Sequence, residues 1–218
     1  MRTVLLLTGI LMMVTAVCAF AQEMQDIALP APRTDGGRPL MQALMERRSS
    51  RDFSDRALEP QVMSDLLWAA AGINRPDEGK RTAPSARNWQ EIEVYAVTAN
   101  GAYLYDAKAN VLRAVASEDL RKASGMQPFV SIAPLNLVYV ADATKMEGAA
   151  AEDRALYMGA DAAFIAENVY LFCASQGLAT VVRGSVDRAA MSQALKLPET
   201  KTIVLAQTIG YPGTSGGE

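Results

Sequence analysis

The chain contains no histidine in its 218 residues. That absence excludes a Ser-His-Asp or Cys-His hydrolase, a His-ligated zinc site, and imidazole as a general acid or base. Cysteine is nearly as scarce, with only Cys18 and Cys173. Cys18 lies in an N-terminal apolar stretch expected to be removed, so Cys173 remains alone, without a disulfide partner or a thiolate metal cluster. Its strongly apolar helical surroundings favour a buried structural thiol over a nucleophile. An excess of positive charge is also lacking: 21 Lys and Arg stand against 24 Asp and Glu, a net charge of −3. Such a balance argues against nucleic acid and against an anionic membrane surface as partners. Any redox or group-transfer chemistry in this chain falls to a bound organic cofactor.

The apolar run from Val4 to Val17 is too short for a membrane span, which needs roughly 20 residues. With Arg2 before it and Ala19-Phe20-Ala21 after it, residues 1–21 read as a secretory signal peptide. Val17 is too large for a lipobox before Cys18. The expectation is an exported, periplasmic chain beginning at Gln22, with no stable membrane insertion after cleavage.

Residues 22–39 are rich in Pro, Gly and Asp and read as a flexible leader. A single domain is expected over 40–212, followed by a short tail, 213–218. The spacing of Leu40, Ala43 and Leu44 predicts a helix to Arg48, and Glu59-Pro60 opens another over 61–71. Asn74 to Ser85 reads as a polar loop. Ile92 to Thr98 alternates as a strand, and Asn100-Gly101 turns it into a hairpin. Ser117 to Ser124 reads as a short helix opened by Ser117. Leu135 to Val140 is a continuous apolar run and reads as a central strand. The longest helix spans 153–176, apolar over much of its circumference, and Gly177 stops it. Strands at 178–182 and 202–208 flank a helix over 187–195, so the fold class is α+β.

Four segments carry candidate chemistry. Arg47-Arg48-Ser49-Ser50-Arg51 is the sharpest concentration of positive charge. Forked guanidiniums beside hydroxyls suit a phosphate monoester, and a basic helix C-terminus complementing the dipole is the simpler alternative. Ala83 to Gln90 is a turn rich in amides and hydroxyls, suited to hydrogen-bonding a heterocycle or serving as an ordinary Pro-Ser loop. Gly125 to Phe129 offers one side-chain amide, Gln127. Val181 to Ser185 ends an apolar strand with Gly184, which lets backbone approach a ligand closely.

In order and spacing, Arg-Arg-Ser-x-Arg-x-Phe followed by Ala-Pro-Ser-Ala-x-Asn-x-Gln resembles the flavin-dependent nitroreductase family. Gly177-Leu178 at the end of the long helix and the terminal Gly210-Tyr211-Pro212 match the same pattern, and Gly101-Ala102-Tyr103-Leu104-Tyr105 resembles its thiazoline and oxazoline dehydrogenase branch. The resemblance implies a three-layer α-β-α sandwich, an intertwined homodimer and FMN as cofactor. It implies that Arg47, Arg48 and Ser49, with Arg51 beside them, bind the FMN phosphate and ribityl chain. Pro84, Ser85, Ala86 and Asn88 would reach the flavin from the other subunit, and Gln127 would meet its pyrimidine end. Val182, Arg183 and Gly184 would lie beside N5.

The implied activity is hydride transfer between flavin N5 and a small organic or peptide-derived substrate, by a ping-pong mechanism. Export sets this apart from the cytoplasmic NAD(P)H pools and favours another electron donor. A non-catalytic flavin-binding protein on the same fold is the alternative, and a cofactor-free dimer scaffold is a third. The Arg183 side chain points either toward the ring, favouring reduced flavin, or outward as an exposed strand end. No residue is assigned as a catalytic base and no metal is expected. The tail lacks the basic phosphate ligand that many members carry there, leaving the phosphate to the Arg47–Arg51 cluster.

Overall fold

The computed structural model describes residues 24–213, so the expected signal peptide and all but the first residue of the tail lie outside the described residues. Along the chain come β1 (Ile27–Ala28), α1 (Leu40–Glu46), α2 (Pro60–Ala71), β2 (Ile73–Arg75), β3 (Lys80–Arg81), β4 (Ile92–Thr98), β5 (Gly101–Asp106) and β6 (Val111–Ala116). They are followed by β7 (Leu135–Asp142), α3 (Ala151–Gln176), β8 (Ala179–Arg183), α4 (Arg188–Ala194) and β9 (Lys201–Gly210).

Seven strands form one sheet in the order β1-β6-β5-β4-β7-β9-β8, every neighbouring pair antiparallel. The two-residue side-chain period of a strand explains why the centre of this sheet has apolar residues on both faces. Leu135, Leu137 and Tyr139 of β7 pack with Leu66, Leu67, Ala162 and Ile165 of the long helices. Val138 and Val140 turn to the other face, onto Met191 and Leu195. Helices α1, α2 and α3 thus form one outer layer, and α4 with short 3-10 turns at Arg121–Ser124 and Pro128–Ser131 forms the other. This is the three-layer α-β-α arrangement of the α+β class.

Pro60 starts α2, where its missing N–H costs nothing. Gly177 ends α3 in the left-handed region (φ 70°), its N–H returning to the Cys173 carbonyl. Among the described residues no helix is long and apolar enough to cross a membrane.

Four local expectations are corrected. The leader is tied down from Met24 onward: β1 pairs with β6, and the Pro30 carbonyl accepts from Ser64 Oγ and Asn110 Nδ2 (2.5 and 2.7 Å). Arg33 closes a fork on the buried Asp65 carboxylate. Within 74–85, β2 and β3 form a small antiparallel ladder. The helix expected over 117–124 is only the 3-10 turn at its end, because Asp119 Oδ1 accepts the Arg121 N–H (3.1 Å) and bends the chain. The long helix is also less enclosed than its composition suggests: Leu156 and Phe164 stay exposed.

Candidate functional site

After α1 the chain runs along the outer edge of the sheet. The Ser50 N–H donates to the Thr180 carbonyl of β8 (2.9 Å), and Phe53 bridges to Pro212. Tyr170 of α3 locks this segment. Its hydroxyl accepts the Val182 N–H (2.9 Å) and shares a hydrogen bond with Ser49 Oγ (2.8 Å). The Arg47 guanidinium lies 5.3 Å from the Tyr170 ring centroid, within cation–π range. Arg47, Arg48, Ser50, Tyr170 and Thr180 border a cleft of about 450 Å³. Arg38 on its rim is ion-paired to Glu46. No such pair is found for Arg47 or Arg48 among the described residues. The cleft therefore offers free cationic charge beside hydroxyls, the chemistry of a phosphate site. Ser49 belongs to this cluster; Arg51 is exposed and does not border the cleft.

The end of β8 leads to a second group. The Arg183 side chain does not point outward, correcting the exposed strand-end orientation considered from sequence. It is buried, 5% exposed, beneath the sheet. Its Nε donates to Thr208 Oγ1 (3.0 Å), Nη1 to the Ser124 carbonyl (2.7 Å) and Nη2 to Asn136 Oδ1 (3.0 Å). All are neutral acceptors. Burial lowers its pKa to about 10, which leaves the guanidinium charged at neutral pH. Gly125 packs flat against it, and a Cβ there would overlap Nη1. Two residues on, Gln127 is half-buried with its Oε1 shielded and unpartnered. Gly184 is exposed, and Val182 is half-buried.

Three of the four segments thus meet along β8: residues 47–51, Gln127's loop and Val182–Gly184. The fourth does not join them within one chain. The Ala86 N–H donates to Asp161 Oδ2 (2.8 Å), so the Pro84–Asn88 turn sits beside Asp161. Tyr170 lies nine residues further along α3, about 13.5 Å at helical rise. Pro84 and Asn88 are exposed, Ser85 and Ala86 half-buried.

Sequence reasoning missed Tyr170, whose polar tip on the buried stripe of α3 required a partner and so was a usable signal. It also missed Glu91 and Asp161, 0% and 2% exposed, under the 84–90 turn. Burial, then the neighbouring Asp161 charge, pushes the Glu91 carboxyl up to about 7. Nothing local in the sequence brings these two acids together. An organic phosphate-bearing cofactor fits what is present: free arginines at one end of the β8 edge, and an acceptor without a donor, Gln127 Oε1, toward the other.

Fold and site together define an α+β sandwich protein with a basic cleft at the edge of an antiparallel sheet. The model of the Nitroreductase family matches residues 44–211, and the chain belongs to that family. It is a nitroreductase-family oxidoreductase. A protein of Methanocaldococcus jannaschii named as a nitroreductase is 27% identical over 176 residues, covering 76% of this chain and 88% of the relative. A crystal structure from Ralstonia eutropha JMP134, also named as a nitroreductase, is 41% identical with a TM-score of 0.84, covering 88% of this chain and 91% of the other. A structure from Clostridium acetobutylicum named as an NADH oxidase shares the fold at 23% identity and a TM-score of 0.53, covering 81% and 89%.

Proposed function

We propose that the protein is an exported FMN-dependent oxidoreductase acting on a small organic or peptide-derived substrate. The reading rests on one observation: free guanidiniums, the unpartnered Gln127 amide oxygen and the backbone of Val182–Gly184 lie along one sheet edge. Arg47, Arg48 and Ser49 would hold the phosphate, with Arg51 adding charge nearby. Gln127 Oε1 would accept an N–H from the pyrimidine end. When bound, FMN supplies a carrier that accepts a hydride from one substrate and returns it to another.

The chain's own share is binding, orientation and charge. Tyr170 fixes the Val182 N–H and Ser49 at once, so the phosphate end and the β8 end keep a constant separation. Arg183 contributes a cation that cannot leave, because its neutral acceptors surround it. Sequential use of one site by two substrates accords with a ping-pong order. The signal-like segment supports an electron donor other than NAD(P)H, and the Gly101–Tyr105 hairpin supports the azoline dehydrogenase branch.

A homodimer completes the reading. Leu40, Met41, Leu44 and Met45 are 62%, 69%, 45% and 86% exposed on α1, an apolar surface beside the candidate cleft. A second subunit covering such a surface would bring its Pro84, Ser85, Ala86 and Asn88 to the site. Purified apoprotein mixed with FMN should acquire bound flavin absorbance, and the bound flavin should bleach with a suitable reductant and recover with a quinone or nitroaromatic acceptor. A colourless protein after reconstitution overturns the proposal. Bound flavin that passes electrons to no acceptor leaves a flavin-binding protein instead.

A further inference from the structure

The turn before β4 is held in a costly shape. Arg87, Asn88 and Gln90 all adopt left-handed backbone conformations, with φ of 48°, 58° and 49°. None is glycine, and a Cβ disfavours that region at each of them. Three such residues within four positions persist only if the surroundings dictate them.

The surroundings are two acids and their attachments. Ser85 Oγ accepts the Gln90 N–H (2.8 Å) and donates to Glu91 Oε2 (3.2 Å). Asp161 Oδ2 accepts the Ala86 N–H (2.8 Å). The Gln90 side chain is held by Arg81 Nε (2.8 Å), and itself donates to the Gly79 carbonyl and to Asn88 Oδ1, both 3.0 Å.

Glu91 Oε1 is left buried and without a partner. Its carboxyl faces the Asp161 carboxyl, and two ionised carboxylates repel where neither has a donor to offer the other. Among the described residues neither carboxylate is ion-paired to a Lys or Arg. Arg81 of β3 borders the same small cavity, but its Nε and Nη1 point to neutral oxygens, Gln90 Oε1 and the Ala71 carbonyl (2.7 Å), and it forms no ion pair with either acid. Asp142 of β7 approaches only through its N–H to the Glu91 carbonyl, its carboxyl being turned to Thr144. The cavity of about 20 Å³ has room for one water at most. A water supplies a hydrogen bond but removes no charge. A proton on Glu91 does both: it gives Oε1 a role as donor and leaves one negative charge in place of two.

We propose that Glu91 keeps its proton against the Asp161 carboxyl and that the two acids, through that contact, position the strained 84–90 turn as a wall of the flavin site. Both act as positioning residues, through Ser85 and the Ala86 N–H, and touch no reacting atom. The second half of this statement rests on the proposed flavin function; the first half does not.

Trp89 reports on the turn directly. It stands edge-on to Tyr157 of α3, with ring centroids 5.6 Å apart, and the Arg87 guanidinium lies 5.4 Å from its ring. The chain has two tryptophans, so Trp68→Phe isolates its emission. Titrating that protein without flavin from about pH 5 to 9 should give one transition, centred near neutrality, as the Glu91 proton leaves. Glu91→Gln keeps a donor toward Asp161 at every pH and should hold the low-pH spectrum throughout. Asp161→Asn, which keeps an acceptor for Ala86, should remove the transition as well and guards against a folding defect peculiar to one variant. FMN affinity of the unsubstituted protein should fall about fivefold or more across the same range, and Glu91→Gln should remove that dependence. Absence of the Trp89 transition, or its survival in both variants, overturns the acid pair whatever the flavin does. A transition abolished by Glu91→Gln with FMN affinity indifferent to pH supports the acid pair and overturns the turn's role as a flavin wall.

Discussion

Replacing Gly125 with alanine tests the packing around the buried cation most directly. The backbone there is extended (φ −176°), so glycine is required by space and not by conformation. The new Cβ would overlap Arg183 Nη1 and lie 2.8 Å from Val130 Cγ1 and 2.9 Å from Arg183 Cζ. The guanidinium has nowhere to retreat, since Nε is held by Thr208 and Nη2 by Asn136. The bond to the Ser124 carbonyl must break. Losing a hydrogen bond from a charged donor costs about 1.5–3 kcal/mol, and overpacking adds about 1–3 kcal/mol. The sum, roughly 2.5–6 kcal/mol, is a large fraction of a typical folding free energy of about 5–15 kcal/mol. For a domain of this size it corresponds to a fall in Tm of roughly 5–24 °C. Urea unfolding of the apoprotein measures the loss without interference from flavin. A double-mutant cycle supplies the decisive comparison: in an Arg183→Met background the Cβ no longer meets a guanidinium, so Gly125→Ala should cost far less. If the two changes add to within about 0.5 kcal/mol, the two sites are independent and the reasoning fails.

Three further outcomes follow from the same geometry. Tyr170→Phe strips the acceptor from the Val182 N–H and should cost about 1–3 kcal/mol; hydrogen exchange at that amide should accelerate, and unchanged protection would contradict the bond seen here. Glu91 contributes stability with a definite sign. Its folded carboxyl sits at about 7 against an ordinary 4.5, so its contribution is full below the lower value and is lost as pH rises through the upper one. The loss is roughly 3 kcal/mol, and urea midpoints of Glu91→Gln should lack it; parallel pH profiles for the two proteins would refute the assignment. Substituting Arg47 and Arg48 together with alanine should weaken FMN binding about 100-fold or more while leaving riboflavin, which has no phosphate, nearly unaffected. Equal losses for both ligands, read by quenching of flavin fluorescence, would place the phosphate elsewhere.

Much of the scaffold was legible in the chain because its signals are local. Alternation over Ile92 to Thr98 marked β4 at the bounds observed. The apolar run at Leu135 located the central strand, and Gly177 marked the end of α3. The leader misled for the converse reason. Its Pro, Gly and Asp content describes a segment without a core of its own, and it gains order only from β6, Ser64 and Asp65 of the body. At Ser117 the capping signal was outweighed by the Asp119–Arg121 turn beside it.

The sequence by itself determined which chemistries are closed to this protein, where most of the helices and strands run, and which short segments carry polar function. Each of these depends on residue type or on spacing within a few positions. Only the tertiary structure decided what those segments face. Ser49 and Tyr170 are 121 positions apart and share a hydrogen bond, Asn136 and Arg183 are 47 apart, and Ala86 and Asp161 are 75 apart. Contacts at such separations are set by which faces of the sheet and of α3 are buried together. Burial then fixes the rest: it turns Arg183 into a captive cation and leaves the carboxyls of Glu91 and Asp161 facing each other, neither ion-paired among the described residues.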